Sequence, residues 1–288
     1  MGKMPKAANG DPKVSCTAMV RRCCKGLFLI PLVFVGGCLT TGPTNPSFAV
    51  TTDEARKMLR EMSDHPRRLE RPLLIISNYM DGGRHAANLK HVFHDCTGDR
   101  RIITVVTGFP RTLEECRAKA IEAVETTYSS SDPDGTAEVD VIGVSLGGLT
   151  ARFAAAPSED GASGRRLRVA RMFTIASPHC GAVIAKNYLG RSQQLWRDLR
   201  PGSQFLAYLA REDPKAKYTL YPYTRLHDAI VGEANAAPPG QTPIWVPSLP
   251  FKEGHDDAWE DSRILADIAR RLRGETPLAG PKREPLPQ

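Results

Sequence analysis

The sequence predicts an α/β domain built on a mostly parallel sheet with helices on both faces. Three observations carry that prediction. Short apolar runs bounded by turn residues, PLLIIS, RIITVVTGF, VDVIGVS and RVARMFTIAS, have the length and continuity of strands buried on both sides. Segments with helical periodicity lie between them, and the two kinds alternate along the chain. At 288 residues, with 41% hydrophobic and 25% charged residues, there is material for one large domain with a sizeable core, and neither an internal repeat nor a second domain is visible.

The first residues read as an address. Arg21, Arg22 and Lys25 precede the apolar run GLFLIPLVFVGG, which is shorter than the roughly 20 residues a membrane-spanning helix needs. This predicts a signal peptide over residues 1–37. Its end, Val35-Gly36-Gly37-Cys38, resembles the lipobox of bacterial lipoproteins. That resemblance implies cleavage before Cys38, acylation of Cys38 with chains such as palmitate, and residence in the bacterial cell envelope, on the periplasmic side of the outer membrane. Met1, Met4 and Met19 are all available as starts, and the leader before Met19 is long. The formal charge of +7 is concentrated here, since six basic residues and one acid precede Gly37. The remainder is nearly neutral, which removes the main support for nucleic acid as a partner.

Residues 38–50, with their prolines and threonines, read as a tether, and folding is expected to begin near Thr51. Thr52 or Asp53 can cap the helix DEARKMLREMS ahead of PLLIIS. After RIITVVTGF, the helix TLEECRAKAIEAVETTY opens on Thr112 with Glu115 three residues on, the pattern of a capping box. VDVIGVS, LTARFAAA and RVARMFTIAS then read as strand, helix and strand. SQQLWRDLRPGSQFLAYLA is helical with a break at Pro201-Gly202, TRLHDAIVG contains a strand, and AAPPGQTPIWVPSLP is loop with one short strand. EDSRILADIARRLRG closes the domain as a helix with Ile264, Leu265, Ile268 and Leu272 along one face. The domain is thus expected over 51–274, with 275–288 as a flexible tail. Of the cysteines outside the signal and anchor, Cys96, Cys116 and Cys180 show no metal-ligand spacing; a Cys96–Cys116 disulfide and two buried thiols both fit.

Gly143-Val144-Ser145-Leu146-Gly147 is a GxSxG pattern between a buried strand and a helix. Glycines on either side allow a strained turn that lifts the serine hydroxyl clear of the sheet. At these residues the chain resembles the lipase and esterase branch of the α/β-hydrolase family, over roughly residues 72–273. The resemblance implies that fold with a short helical cap, a nucleophile at Ser145, and partners in the order Ser, acid, His. Asp228 in LHDAIVG matches the acid position, with Glu233 in reserve, while Asp256 and Asp257 stand too close in sequence to His255. His255 in KEGHDDAW, just before the last helix, matches the base. Among the other histidines, His227 should face away from its neighbour Asp228, His179 in SPHCG matches a turn whose histidine is structural, and His85, His91 and His94 precede the serine.

The oxyanion of an acyl-transfer intermediate needs N–H donors. Leu146, just past the serine, is one. By position Tyr79 is the other, although Ser77-Asn78-Tyr79 replaces the family's His-Gly; Met80 is the alternative. Leu195, Trp196, Phe205 and Leu206 fit either an acyl pocket or ordinary core. The leading expectation is a serine carboxylic-ester hydrolase acting on a small-molecule or lipid ester, with no metal or cofactor needed for the chemistry. An acyltransferase or thioesterase with the same triad, and a non-catalytic envelope lipoprotein using the fold as a binding module, are the alternatives.

Overall fold

The computed structural model describes residues 44–157, 165–188, 193–248 and 254–287. The expected signal peptide, the lipidation site Cys38 and the first part of the tether lie outside the described residues. β1 (Leu73–Ile76), β2 (Ile102–Val105), β3 (Val139–Val144), β4 (Val169–Ile175), β5 (Thr219–Arg225) and β6 (Ile244–Val246) pair in parallel, in the order β2-β1-β3-β4-β5-β6. The helices are α1 (Thr52–Asp64), α2 (Arg84–Thr97), α3 (Leu113–Thr127), α4 (Leu146–Ala155), α5 (Gln193–Asp198), α6 (Gln204–Glu212), α7 (His255–Ala258) and α8 (Ser262–Leu272). None of those described is long and apolar enough to cross a membrane.

The alternation of side chains along the strands explains the continuous apolar runs. Leu73 and Ile75 of β1 enter a cluster with α1, α2 and α8, whereas Leu74 and Ile76 enter one with α3 and α4. Both faces are covered, so neither residue set can be polar. From β1 the chain builds outward to β2, then returns across β1 to β3 and continues to β6. The order reverses between β1 and β3, the place at which ligands bind in open parallel sheets. This topology, with a strand-turn-helix at β3, is the α/β-hydrolase fold.

Several local features differ from the sequence expectation. The strand expected in TRLHDAIVG lies earlier: β5 runs Thr219–Arg225 and ends at the second residue of that segment, the rest of which is the loop that carries Asp228. The cap of α1 is Thr51, whose hydroxyl accepts from Glu54 N–H while the Glu54 carboxylate accepts from Thr51 N–H, a complete capping box one residue earlier than expected. α2 had no conventional cap signal, because Asp81 serves from upstream, accepting N–H groups of Gly83, His85 and Ala86. The fold begins before Thr51: Asn45 is buried and donates to the Trp245 carbonyl, and Phe48 enters the core. The expected flexible tail instead packs on the domain. Asp267, fully buried on α8, accepts from Leu278 and Ala279 N–H at 2.6 and 2.9 Å, from the Tyr223 hydroxyl and from Arg271. Tail composition gave no hint of this because the acceptor belongs to another element.

Asp267→Ala leaves those buried donors unmatched, and is expected to cost about 3–5 kcal/mol and free the tail. The urea midpoint measures the first effect and limited proteolysis after Arg273 the second. The two candidate disulfide cysteines are separate buried thiols, Cys96 in the α1–α2–α8 cluster and Cys116 among α3, α4 and α5. Burial pushes both up to about 11.

Candidate active site

Ser145 occupies the single residue between β3 and α4, at φ 50° and ψ −116°. A non-glycine residue there stores about 1–3 kcal/mol of strain. Its N–H is tied to the Ile175 carbonyl of β4 at 2.8 Å. The three nearby glycines are required by close approach: a Cβ on Gly143 would stand 2.6 Å from Gly148 Cα, and one on Gly148 would stand 2.1 Å from Ser177 Oγ. On Gly147 it would meet the Ile76 carbonyl oxygen at 2.3 Å. The first turn of α4 therefore rests directly on the ends of β1 and β4.

Asp228 and His255 reach the serine from two loops clasped to each other. Gly254 N–H donates to the His227 carbonyl at 2.8 Å, and Gly254 can only be glycine because a Cβ would stand 2.3 Å from Leu226 O. His227 takes φ 64°, which turns its side chain to solvent and Asp228 inward. One Asp228 oxygen accepts from Ile230 and Val231 N–H at 3.0 and 2.8 Å; the other lies 2.9 Å from His255 Nδ1. His255 Nε2 is 3.1 Å from Ser145 Oγ. A carboxylate only accepts, so Nδ1 carries the proton and Nε2 presents a lone pair to the serine hydroxyl. The arrangement can take a proton from Ser145 as it attacks.

Neither the reserve acid Glu233 nor the disfavoured Asp256 and Asp257 replaces Asp228 in this contact. Glu233 opens a 3-10 turn beyond Asp228, Asp256 is exposed, and Asp257 lies 3.7 Å from Arg225. The indole of Trp259 stands edge-on to the His255 ring at 5.4 Å and also packs against His85. Sequence reasoning missed Trp259 and Gly254, although a tryptophan four residues after a histidine at a helix start is a readable pairing.

The β1 loop sharpens the choice of oxyanion donor. Met80, at φ 62°, gives its N–H to the Gly108 carbonyl at 2.8 Å, so that amide is spent. The loop is pinned to the end of β2 through Thr107 N–H to Ser77 Oγ and Thr107 Oγ1 to the Asn78 carbonyl. Tyr79 follows the Ser77 carbonyl on which Gly147 rests, and Leu146, first residue of α4, has no carbonyl one turn back to receive its N–H. The Tyr79 ring is edge-on to Trp196 at 5.5 Å and to Phe109 at 6.1 Å, and Tyr188 stacks on Trp196 at 3.9 Å. Of the four candidate acyl-pocket residues, Trp196 alone makes a ring contact with this loop. Leu195 and Leu206 are core, and Phe205 packs on Phe153 at 5.1 Å. A separate cavity of about 230 Å³, lined by Arg152, Leu167, Val169, Asp213 and Tyr218 among others, lies at the start of β4, away from Ser145.

His179 is held elsewhere. Arg152, itself buried and paired with Asp213 at 2.6 Å, donates to His179 Nδ1 at 2.9 Å, so the Nε2 proton goes to Thr174 Oγ1 at 2.8 Å. Burial, then the Arg152 charge, hold its pKa well below the usual histidine value. The native state keeps this ring neutral while the unfolded state protonates it near pH 6.5, so stability falls as pH drops below that value. A slope of about 1.4 kcal/mol per pH unit is expected from this one group, and His179→Asn should flatten it in urea titrations between neutral and mildly acid pH. His91 and His94 lie at the surface.

No protein-family model matches the chain, and no curated protein matches it. Among solved structures it is similar to a proposed cell surface hydrolase from Lactobacillus plantarum WCFS1, at 13% identity and TM-score 0.42, over 72% of this chain and 92% of that one. The product of gene lin2722 from Listeria innocua aligns at 11% identity and TM-score 0.41, over 70% and 92% of the two chains. A proposed hydrolase from Agrobacterium vitis S4 aligns at 14% identity and TM-score 0.41, over 72% and 90%. Likeness at this level says nothing of activity; the fold assignment stands on strand order and direction.

Proposed function

We propose that the chain is a serine carboxylic-ester hydrolase in which Ser145 attacks the acyl carbon, His255 Nε2 takes the serine proton, and Asp228 holds the imidazole tautomer. The single observation that carries this reading is the continuous series Asp228 Oδ2, His255 Nδ1, His255 Nε2 and Ser145 Oγ, at 2.9 and 3.1 Å, ending on a serine in a strained backbone conformation. In the proposed reaction the carbonyl oxygen becomes an oxyanion received by the N–H groups of Leu146 and Tyr79. The tetrahedral intermediate expels the alcohol, which takes the proton from His255. A water, deprotonated by the same nitrogen, then cleaves the acyl-enzyme.

A stopped-flow experiment with a p-nitrophenyl acyl ester tests the reading. A burst of p-nitrophenol approaching one equivalent per chain, followed by slower turnover, is the expected signature of the acyl-enzyme. Turnover that needs no Ser145 contradicts it. The cellular setting is part of the proposal: Cys38 carries the lipid anchor, motivated by the charged, apolar and small-residue series that ends there. Mass analysis of Cys38→Ala should find the protein without the added acyl mass, and an unchanged lipidated mass contradicts the anchor.

A further inference from the structure

All the large apolar side chains that the described residues leave exposed stand at one end of the sheet. Met80 follows β1, Val106 and Phe109 follow β2, and Val183 and Ile184 lie in the short 3-10 turn after β4, with exposures from 39% at Val106 to 70% at Phe109. Single exposed apolar residues scattered over a surface need no explanation, but a set gathered round one end does. It is the end at which Ser145 leaves β3.

The same loops carry exposed cations: Arg84 opens α2, Arg111 precedes α3, and Lys186 ends the turn after β4. None of the three has a carboxylate partner among the described residues. Nearby acids are occupied. Asp81 is buried and caps α2, Glu114 pairs with Arg117, and Glu115 accepts from the Arg111 N–H. Other acids toward this end include Asp198 on α5, which accepts from Gln194, and Glu233, Asp256, Asp257, Glu260 and Asp261 on the segments after β5 and β6. Apolar side chains flanked by free cations match a surface with anionic headgroups over acyl chains. That charge complementarity selects a bilayer over a second copy of the chain, which would set these cations against one another.

We propose that this end of the sheet docks on an anionic phospholipid surface, with Phe109, Met80, Val183 and Ile184 entering the boundary between headgroups and acyl chains and Arg84, Arg111 and Lys186 meeting phosphates. The docking does not depend on ester hydrolysis.

The test uses the full chain carrying Phe109→Trp, because the native indoles Trp196, Trp245 and Trp259 are buried. Vesicles of equal parts phosphatidylcholine and phosphatidylglycerol with brominated acyl chains should quench and blue-shift the new emission, and phosphatidylcholine vesicles alone should not. Adding Arg84→Gln, Arg111→Gln and Lys186→Gln should weaken the response about 100-fold while turnover of soluble p-nitrophenyl acetate is unchanged. Equal quenching on neutral vesicles overturns the anionic assignment. A chain that sediments with the phosphatidylglycerol-containing vesicles while its F109W indole stays unquenched is held there by another segment alone, such as the proposed anchor at Cys38, which overturns the docking face. Concentration-dependent burial of that indole without vesicles makes a second copy the occupant and overturns it too.

Discussion

Ser145→Ala is expected to lower turnover of a p-nitrophenyl acyl ester by about 10⁶-fold, and adding His255→Ala to that variant to lower it little further. The reason is geometric. Ser145 Oγ, His255 and Asp228 form one hydrogen-bonded unit at 3.1 and 2.9 Å, so once the nucleophile is gone the base has no proton to take. His255→Ala alone should cost nearly as much as Ser145→Ala. His179→Ala should leave turnover largely in place where the variant folds, because its ring nitrogens are bonded to Arg152 and Thr174. Steady-state kinetics on the four proteins, with circular dichroism to establish folding, decides the matter. Near-normal turnover in His255→Ala would remove it as the base.

Gly147→Val is expected to abolish reaction at Ser145. Its Cβ would stand 2.3 Å from the Ile76 carbonyl oxygen and 2.8 Å from that of Ser77, and both belong to backbone that has no room to withdraw beneath α4. Overpacking of this kind costs about 1–3 kcal/mol and often more where backbone must move. The movement would separate the Leu146 N–H from the β1 loop and turn the serine hydroxyl away from His255. Gly82→Ala is the control, since a Cβ there meets nothing within 4 Å. Loss of reactivity in both variants would point to general fragility of the loops; loss in neither would make the glycine-rich turn an ordinary one.

What could be read from the sequence follows from which interactions are local. The strands β1 to β4 were legible because burial on both faces makes them mostly apolar, whereas β5, TLYPYTR, has an exposed start and no continuous apolar run and was placed too late. The turn at Ser145 was legible because its glycines and serine are contiguous. The three side chains whose order suggests a relay are those the fold brings within hydrogen-bond reach. Long-range anchors left no such trace. Asn45 is tied to Trp245, and the tail to Asp267, across separations that no window of sequence spans. α2 escaped notice because its cap is Asp81, three residues before the helix starts at Arg84. Tyr79 was preferred to Met80 by position, and what the sequence could not show is that Gly108, beyond β2, takes the Met80 N–H.

The central claim is that Ser145 is an activated nucleophile, and the most direct measurement is labelling of the folded chain with a fluorophosphonate probe followed by peptide mapping. The account predicts one modified residue, Ser145, with labelling lost in Ser145→Ala and strongly slowed in His255→Ala. A folded chain that stays unlabelled, or one labelled at another residue with Ser145 unmodified, would contradict it.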